Sequence, residues 1–298
     1  MSIKSLDKKK GMIYHYHKVI FIYQRSKNRS YMERKKVVTL SCLCADVFDN
    51  KVTAGGETLN FAANCCHHPH LSLYIIGAIG NDEYGREVLR SIEGKEIDTS
   101  HVHILDGKTA FNRTYLTEDG DRYYKEDSWN SGVMMDYKLS LNDKELLRSA
   151  DLVQVTTHSP NFSEVIECKK DSYFPLAADF DIRRDYENWD ELLPFVDFVF
   201  VSGNDEVIEK AEQFSKRYRK SIFIVTLAEK GSVAFKDGTR YNCKAVKVDK
   251  VTDTTGCGDS YAAGFLAEYF LSGNIQKSME KGSERASETL KFIGGFRY

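Results

Sequence analysis

Four short apolar runs, Leu152–Thr156, Leu176–Phe180, Phe198–Val201 and Ile222–Leu227, punctuate the second half of the chain, each bounded by a stretch that reads as helix. A strand that is apolar on both faces must be covered on both, and helices lying between successive strands provide that cover. This rhythm predicts an α/β fold, a doubly wound and mainly parallel sheet flanked by helices. Ligands on such sheets gather beyond the carboxyl ends of the strands. The residues expected just past those ends are Asp46, Gly77, His158, Asp181, Ser202 and Leu227.

The first half adds two buried strands, Val37–Cys44 and Leu71–Ile76. Ala54-Gly55-Gly56-Glu57 introduces a helix through Asn60 and Phe61. Thr109–Thr117 alternates, turns at Glu118-Asp119-Gly120-Asp121 and returns through Arg122-Tyr123-Tyr124, which is a hairpin signal. Strands around 46–54 and 109–125 are therefore expected to form a small β lid.

Residues 1–31 read differently from the body. Residues 1–36 hold eleven Lys/Arg against two acidic residues, so the remainder of a chain with formal net charge −2 is acidic. An acidic body argues against a general nucleic-acid binder. The apolar patch Val19–Tyr23 is too short for a signal core and has no small-residue cleavage site behind it. Met32 opens Met-Glu-Arg-Lys-Lys-Val-Val-Thr-Leu, a natural beginning for a domain that starts with a strand. We expect 1–31 to be a disordered or non-native leader and 32–298 to form the folded domain. No run approaches the ~18 apolar residues of a membrane helix. Seven cysteines without disulfide-framework spacing read as reduced thiols of a cytoplasmic protein. Cys65-Cys66-His67-His68-Pro69-His70 reads as a helix end running into a Pro turn. Adjacent helical residues point apart, and a second Cys/His cluster to complete a metal shell is lacking.

The chemistry concentrates in Asp253-Thr254-Thr255-Gly256-Cys257-Gly258-Asp259. Gly256 and Gly258 can take backbone angles closed to other residues. The amides of Gly256, Cys257 and Gly258 can then converge on one point. The following helix, with Tyr261, Ala262, Phe265, Leu266, Tyr269 and Phe270 on one face and Gly273 as its stop, adds unpaired N–H groups and partial positive charge. Together these suit anionic oxygens, with Asp259 placed to accept a proton from a hydroxyl.

The whole string resembles the signature of the PfkB (ribokinase-like) carbohydrate kinases, and the resemblance extends over roughly Val37 to Phe296. Gly55-Gly56-Glu57-Thr58-Leu59-Asn60-Phe61-Ala62 is similar to that family's amino-terminal diglycine motif. The resemblance implies a ribokinase-like fold with a lid, use of ATP and Mg2+, and a small-molecule sugar acceptor. It implies that Asp46, Gly55, Gly56 and Asn60 bind the sugar, that Asp259 is the catalytic base and that the Gly256, Cys257 and Gly258 amides form the anion hole. Val225-Thr226-Leu227-Ala228-Glu229-Lys230-Gly231-Ser232 resembles the nucleotide-binding stretch, with Thr226 and Gly231 in place and Ala228 where Gly is usual. Asp253 is grouped with the nucleotide contacts. An Asn-x-x-Glu element linked to magnesium is partly visible in Ser202–Glu206: Glu206 is carried as the metal-side acid and Asn204 as a nucleotide contact. The segments 132–140, 178–181 and 283–296 resemble fructoselysine 6-kinases within that family, which implies a fructosamine acceptor phosphorylated at its 6-hydroxyl. Arg113 on the lid could meet a substrate carboxylate bidentately. A homodimer is implied by analogy, and a K+ requirement stays open.

The competing readings are weaker. A P-loop kinase needs Gly-x-x-x-x-Gly-Lys-Ser/Thr, which the chain lacks. A dinucleotide dehydrogenase needs its glycines in an opening strand–turn–helix. Kinases for fructose or ribose, or a sugar-sensing protein that kept the fold, remain the alternatives. The sugar-phosphorylating reading requires the late Gly-x-Gly-Asp and the early diglycine to face one cavity.

Overall fold

The computed structural model describes residues 34–298, apart from 50, 117–121 and 124. The leader expected at 1–31 lies outside the described residues. The chain runs β1 (Lys35–Leu40), β2 (Cys44–Phe48), β3 (Lys51–Gly55), α1 (Glu57–Cys65), β4 (Leu71–Gly80), α2 (Glu83–Ser91) and β5 (Ile97–Leu105). Short strands β6 (Ala110–Arg113), β7 (Tyr115–Leu116), β8 (Arg122–Tyr123) and β9 (Trp129–Asn130) follow. The alternating half comprises α3 (Leu141–Arg148), β10 (Leu152–Thr156), α4 (Phe162–Asp171), β11 (Leu176–Asp179), α5 (Tyr186–Leu192), β12 (Phe198–Ser202), α6 (Asp205–Arg217) and β13 (Ile222–Thr226). It closes with β14 (Ser232–Lys236), β15 (Thr239–Cys243), α7 (Cys257–Ser272) and α8 (Ile275–Thr289).

The main sheet has the order β15-β14-β13-β12-β11-β10-β1-β4-β5. Neighbours from β13 to β5 are parallel, and β14 and β15 add an antiparallel edge. Successive strand residues face opposite sides. Val38, Leu40, Val153 and Val155 pack with Leu147, Val165 and Val207 of α3, α4 and α6. Val37 and Leu152 pack on the other face with Phe61, Ala262, Phe265 and Met279 of α1, α7 and α8. The order reverses at β1, which lies between β4 and β10, and the crevice at the carboxyl end of such a reversal is where these sheets take ligands.

The lid is a separate sheet of order β3-β2-β6-β9. One expectation needs correcting here. Val37–Cys44 is not one strand: β1 stops at Leu40, and Cys44 already belongs to the lid. The apolar run contains no break signal, so the division is made by two sheets competing for neighbouring segments. Asp46 consequently sits on a lid strand. The hairpin's return strand is β8, paired with β7, and its turn lies outside the described residues. The sequence reading singled out neither β5 nor the β14–β15 hairpin. β5 and β15 are the edge strands, with polar residues on a solvated face, and they lose the continuous apolar signature; β14 is buried but short. Among the described residues no helix is long and apolar enough to cross a membrane.

Candidate active site

Helix α1 begins immediately after the diglycine. Gly56 holds φ +95, and a Cβ there would stand 2.3 Å from the Cys42 carbonyl oxygen. Gly55 presses against Asp46, whose Oδ2 would lie 2.4 Å from an added Cβ. Only glycine permits this approach between the helix entry and the lid. One turn into α1, Asn60 is almost fully buried, and its Nδ2 donates to Asp259 Oδ2 at 2.9 Å. The first motif and the last are therefore joined by one hydrogen bond across 199 positions.

Asp259 lies in the first turn of α7, which starts from Gly256 in the left-handed conformation at φ +67. A Cβ at Gly256 would meet Gly295 Cα at 2.6 Å and Asn60 Nδ2 at 3.1 Å, whereas one at Gly258 would meet nothing within 4 Å. The Cys257 N–H closes the turn by donating to the Thr254 carbonyl at 3.3 Å. The Gly258 amide is left at the open helix start. Burial pushes the Cys257 thiol up to about 12, so the thiol is neutral and no nucleophile. Asp253 is spent on the loop itself: Oδ1 accepts from the Thr255 N–H and hydroxyl at 3.0 and 2.7 Å, and Oδ2 from the Gly294 N–H at 2.7 Å.

Burial first, and then the Glu57 carboxylate, raise Asp259 well above the usual carboxylate range; Asp179 and Asp181 add to this, and the Asn60 bond opposes it. Burial raises Asp179 to about 7, with Asp181 and Glu57 contributing. Its Oδ1 accepts from the Asp181 N–H at 2.8 Å, in a turn where Asp181 takes φ +51. His158, just past β10, places Nε2 2.9 Å from Glu57 Oε1 and is raised, chiefly by that bond. Sequence reasoning placed His158 and Asp181 at strand ends but missed Glu57. A carboxylate in a first helical turn is favoured by the helix dipole whatever its use, so the motif gave no separate signal.

Arg113 is exposed at the end of β6 and pairs with Val47, whereas Asn112 pairs with Asp46. Residues in register share a face, and successive residues alternate. The structure thus does not bring Arg113 onto the lid face that carries Asp46; Asn112 holds that place.

The residues expected to contact the nucleotide lie at and just beyond the ends of β12 and β13. Thr226 ends β13, and its hydroxyl lies 3.2 Å from that of Ser202 at the end of β12. Gly231 takes φ +98, and a Cβ there would clash with the Cys243 carbonyl at 2.1 Å. Ala228 holds φ +51, a conformation that favours glycine. Asn204 caps α6, its side-chain oxygen accepting from the Val207 N–H at 3.3 Å. Glu206 is exposed in the first turn of α6, beside Tyr186, whose phenol is raised by burial and then by that carboxylate. Among the described residues no group of three or more His, Cys, Asp or Glu has metal-site geometry, Cys65–His70 included.

The profile of the pfkB family carbohydrate kinases matches residues 38–295. The chain belongs to the pfkB family of carbohydrate kinases. Fructoselysine 6-kinase of Shigella flexneri is 30% identical over 269 residues, covering 88% of this chain and 100% of that one. Fructosamine kinase FrlD of Bacillus subtilis is 24% identical, covering 88% and 93%. Among solved structures, Arabidopsis thaliana ribokinase complexed with ribose and ATP superposes with TM-score 0.75 at 19% identity, covering 88% and 94%. Adenosine kinase from Sinorhizobium meliloti superposes with TM-score 0.72 at 19% identity, covering 89% and 96%. The fold is ribokinase-like, and the protein is a sugar kinase whose family membership carries ATP and Mg2+ with it.

Proposed function

We propose that this kinase transfers the γ-phosphoryl group of ATP to the 6-hydroxyl of a fructosamine such as fructoselysine. The observation that carries the reading is the Asn60–Asp259 bond, which supports a single site shared by the early diglycine helix and the late Gly-x-Gly-Asp turn. The fructosamine assignment is supported by relatives named for that activity.

In this reading Asp46, Gly55, Gly56 and Asn60 hold the sugar. Asp259 takes the hydroxyl proton as the oxygen attacks phosphorus, and Asn60 fixes the orientation of its carboxylate. The helix start at Gly256–Gly258 receives the phosphate oxygens; the open space beside Gly258 fits them. Phosphoryl transfer depends mostly on positioning and charge stabilisation, so a base and a preformed anion pocket suffice. Thr226 and Gly231 contact the nucleotide, and the exposed Glu206 is the acid that would hold Mg2+, which when bound neutralises charge on the phosphate oxygens. Arg113, Asn204 and Asp253 have weaker claims: each is either turned to the other lid face or engaged within the protein.

The test is ADP release with fructoselysine, fructose, ribose and fructose 6-phosphate as acceptors, with the product's phosphorylated carbon located by NMR. Fructoselysine is expected to give the highest kcat/KM, with phosphate on C6. Turnover confined to a sugar without an amine would overturn the acceptor, and no ADP release with any acceptor would favour the sugar-sensing alternative.

A further inference from the structure

The cavity is over-supplied with hydrogen-bond acceptors and negative charge. Glu57, Asp179 and Asp181 all bear on Asp259 electrostatically, and His158 Nε2 stands 2.9 Å from Glu57 Oε1, a contact that raises the imidazole's pKa. His158 occupies only Oε1 of Glu57; Glu57 Oε2 is shut from solvent and has no partner. Across the lid, Thr53, Asp46 and Asn112 stand in register on one face. Thr53 is 2% exposed with its hydroxyl unpartnered, and Asn112 Oδ1 is likewise buried and unpartnered. Buried acceptors left without donors are costly and rare in folded proteins. These carboxylates do not form an ion cage among the described residues. Among the described residues Glu57 Oε2 has no donor, and beside so many carboxylates a positively charged donor suits it best.

We infer that Glu57, oriented by His158 through Oε1, receives the charged amine of the acceptor on Oε2 and is the residue that selects amino sugars over neutral ones. This rests on the fructosamine reading above and adds the recognition element to it. A 1-amino-1-deoxyketose carries its basic nitrogen on C1 and its phosphoryl acceptor on C6, at opposite ends of the sugar. Two separate carboxylates must therefore serve one cavity: Glu57 at the entry of α1 for the nitrogen, Asp259 at the entry of α7 for the hydroxyl. Asn60, one turn after Glu57 on α1, donates to Asp259. The charged nitrogen would also offset the negative field that raises Asp259, favouring the ionised form of the base in the presence of the substrate it serves.

The experiment compares fructoselysine with fructose, which keeps the ring hydroxyls and lacks the amine. The wild-type enzyme and the isosteric Glu57→Gln are assayed for kcat and KM with each, and 1-amino-1-deoxyfructose binding is measured by calorimetry. Removing one partner of a buried charged pair predicts that the fructoselysine-to-fructose ratio of kcat/KM falls at least ~30-fold in Glu57→Gln, mainly through KM. Glu57→Asp should recover part of that ratio. Calorimetry should show the same loss of amine binding, and nucleotide binding serves as the check that the variant is folded. A ratio unchanged in Glu57→Gln, or an equal loss for both acceptors, overturns the role of Glu57 while leaving the fructosamine reading standing. A wild-type enzyme that phosphorylates no amino sugar overturns that reading first, and this inference with it. Should Glu57→Gln not fold, a wild type that binds 1-amino-1-deoxyfructose no more tightly than fructose overturns it alone.

Discussion

The proposed sugar side and the proposed nucleotide side of this site are built in different ways. On the sugar side, Asp46, Gly55, Gly56, Asn60, Asp259 and Gly295 are in such contact that a single methyl group would collide with a neighbour at several positions. On the proposed nucleotide side Glu206 is exposed, Asn204 caps a helix, Thr226 pairs with Ser202, and the backbone conformation carries much of the geometry. Ala228 shows the contrast. It occupies a place where glycine is usual in the family, yet it takes φ +51, the backbone state a glycine would supply. A departure there costs conformational energy and leaves the shape intact. A departure at Gly55 or Gly56 would move a wall of the cavity.

The largest expected effect tests the sugar side directly. Asp259→Asn should lower kcat by ~100-fold or more while acceptor binding persists, because an amide cannot take the proton. Near-native turnover would remove Asp259 as the base. Gly295→Ala comes next. Its methyl would fall 2.1 Å from Asn60 Oδ1, and displacing Asn60 should cost ~10–100-fold in kcat/KM, since misplacement by about 1 Å has that scale. Unchanged kinetics would show that the close packing is dispensable.

The pH profile sharpens the same side. Burial and then the Glu57 charge raise Asp259, and a base must be deprotonated to act, so kcat/KM should rise with pH through a limb above the ordinary carboxylate range. Glu57→Gln removes a negative neighbour, favours the ionised Asp259 and should move that limb to lower pH, measured with a neutral acceptor. A limb that moves upward contradicts the sign. The smallest effect belongs to the nucleotide side: Ala228→Gly should raise unfolding stability by ~0.5 kcal/mol, the relief of left-handed strain less the added chain entropy, with the KM for ATP unchanged. Destabilisation on denaturant titration would show that Ala228 is unstrained.

The strands of the alternating half were legible because a parallel strand buried on both faces leaves an uninterrupted apolar run. Ile222–Leu227 became β13, Ile222–Thr226, and Leu152–Thr156 became β10 without change. The end of α7 at Gly273 was legible too, since φ +63 there is a glycine conformation. The boundary between β1 and β2 was not, because both segments are apolar and only their pairing partners differ. Sequence alone leaves Arg113 open between a substrate contact and a solvated lid charge, because a strand alternates and one register step separates it from Asn112.

By itself, the order of residues determined the fold class and the two glycine motifs, since strand rhythm and backbone freedom are local properties carried by residue type. It could not say that Glu57 would stand beside Asp259, that Gly295 would close against Asn60, or which lid residue would share a face with Asp46. Those relations join positions tens to hundreds of residues apart. Charge acts through space and burial is a property of the packed whole, so only the tertiary structure decided them.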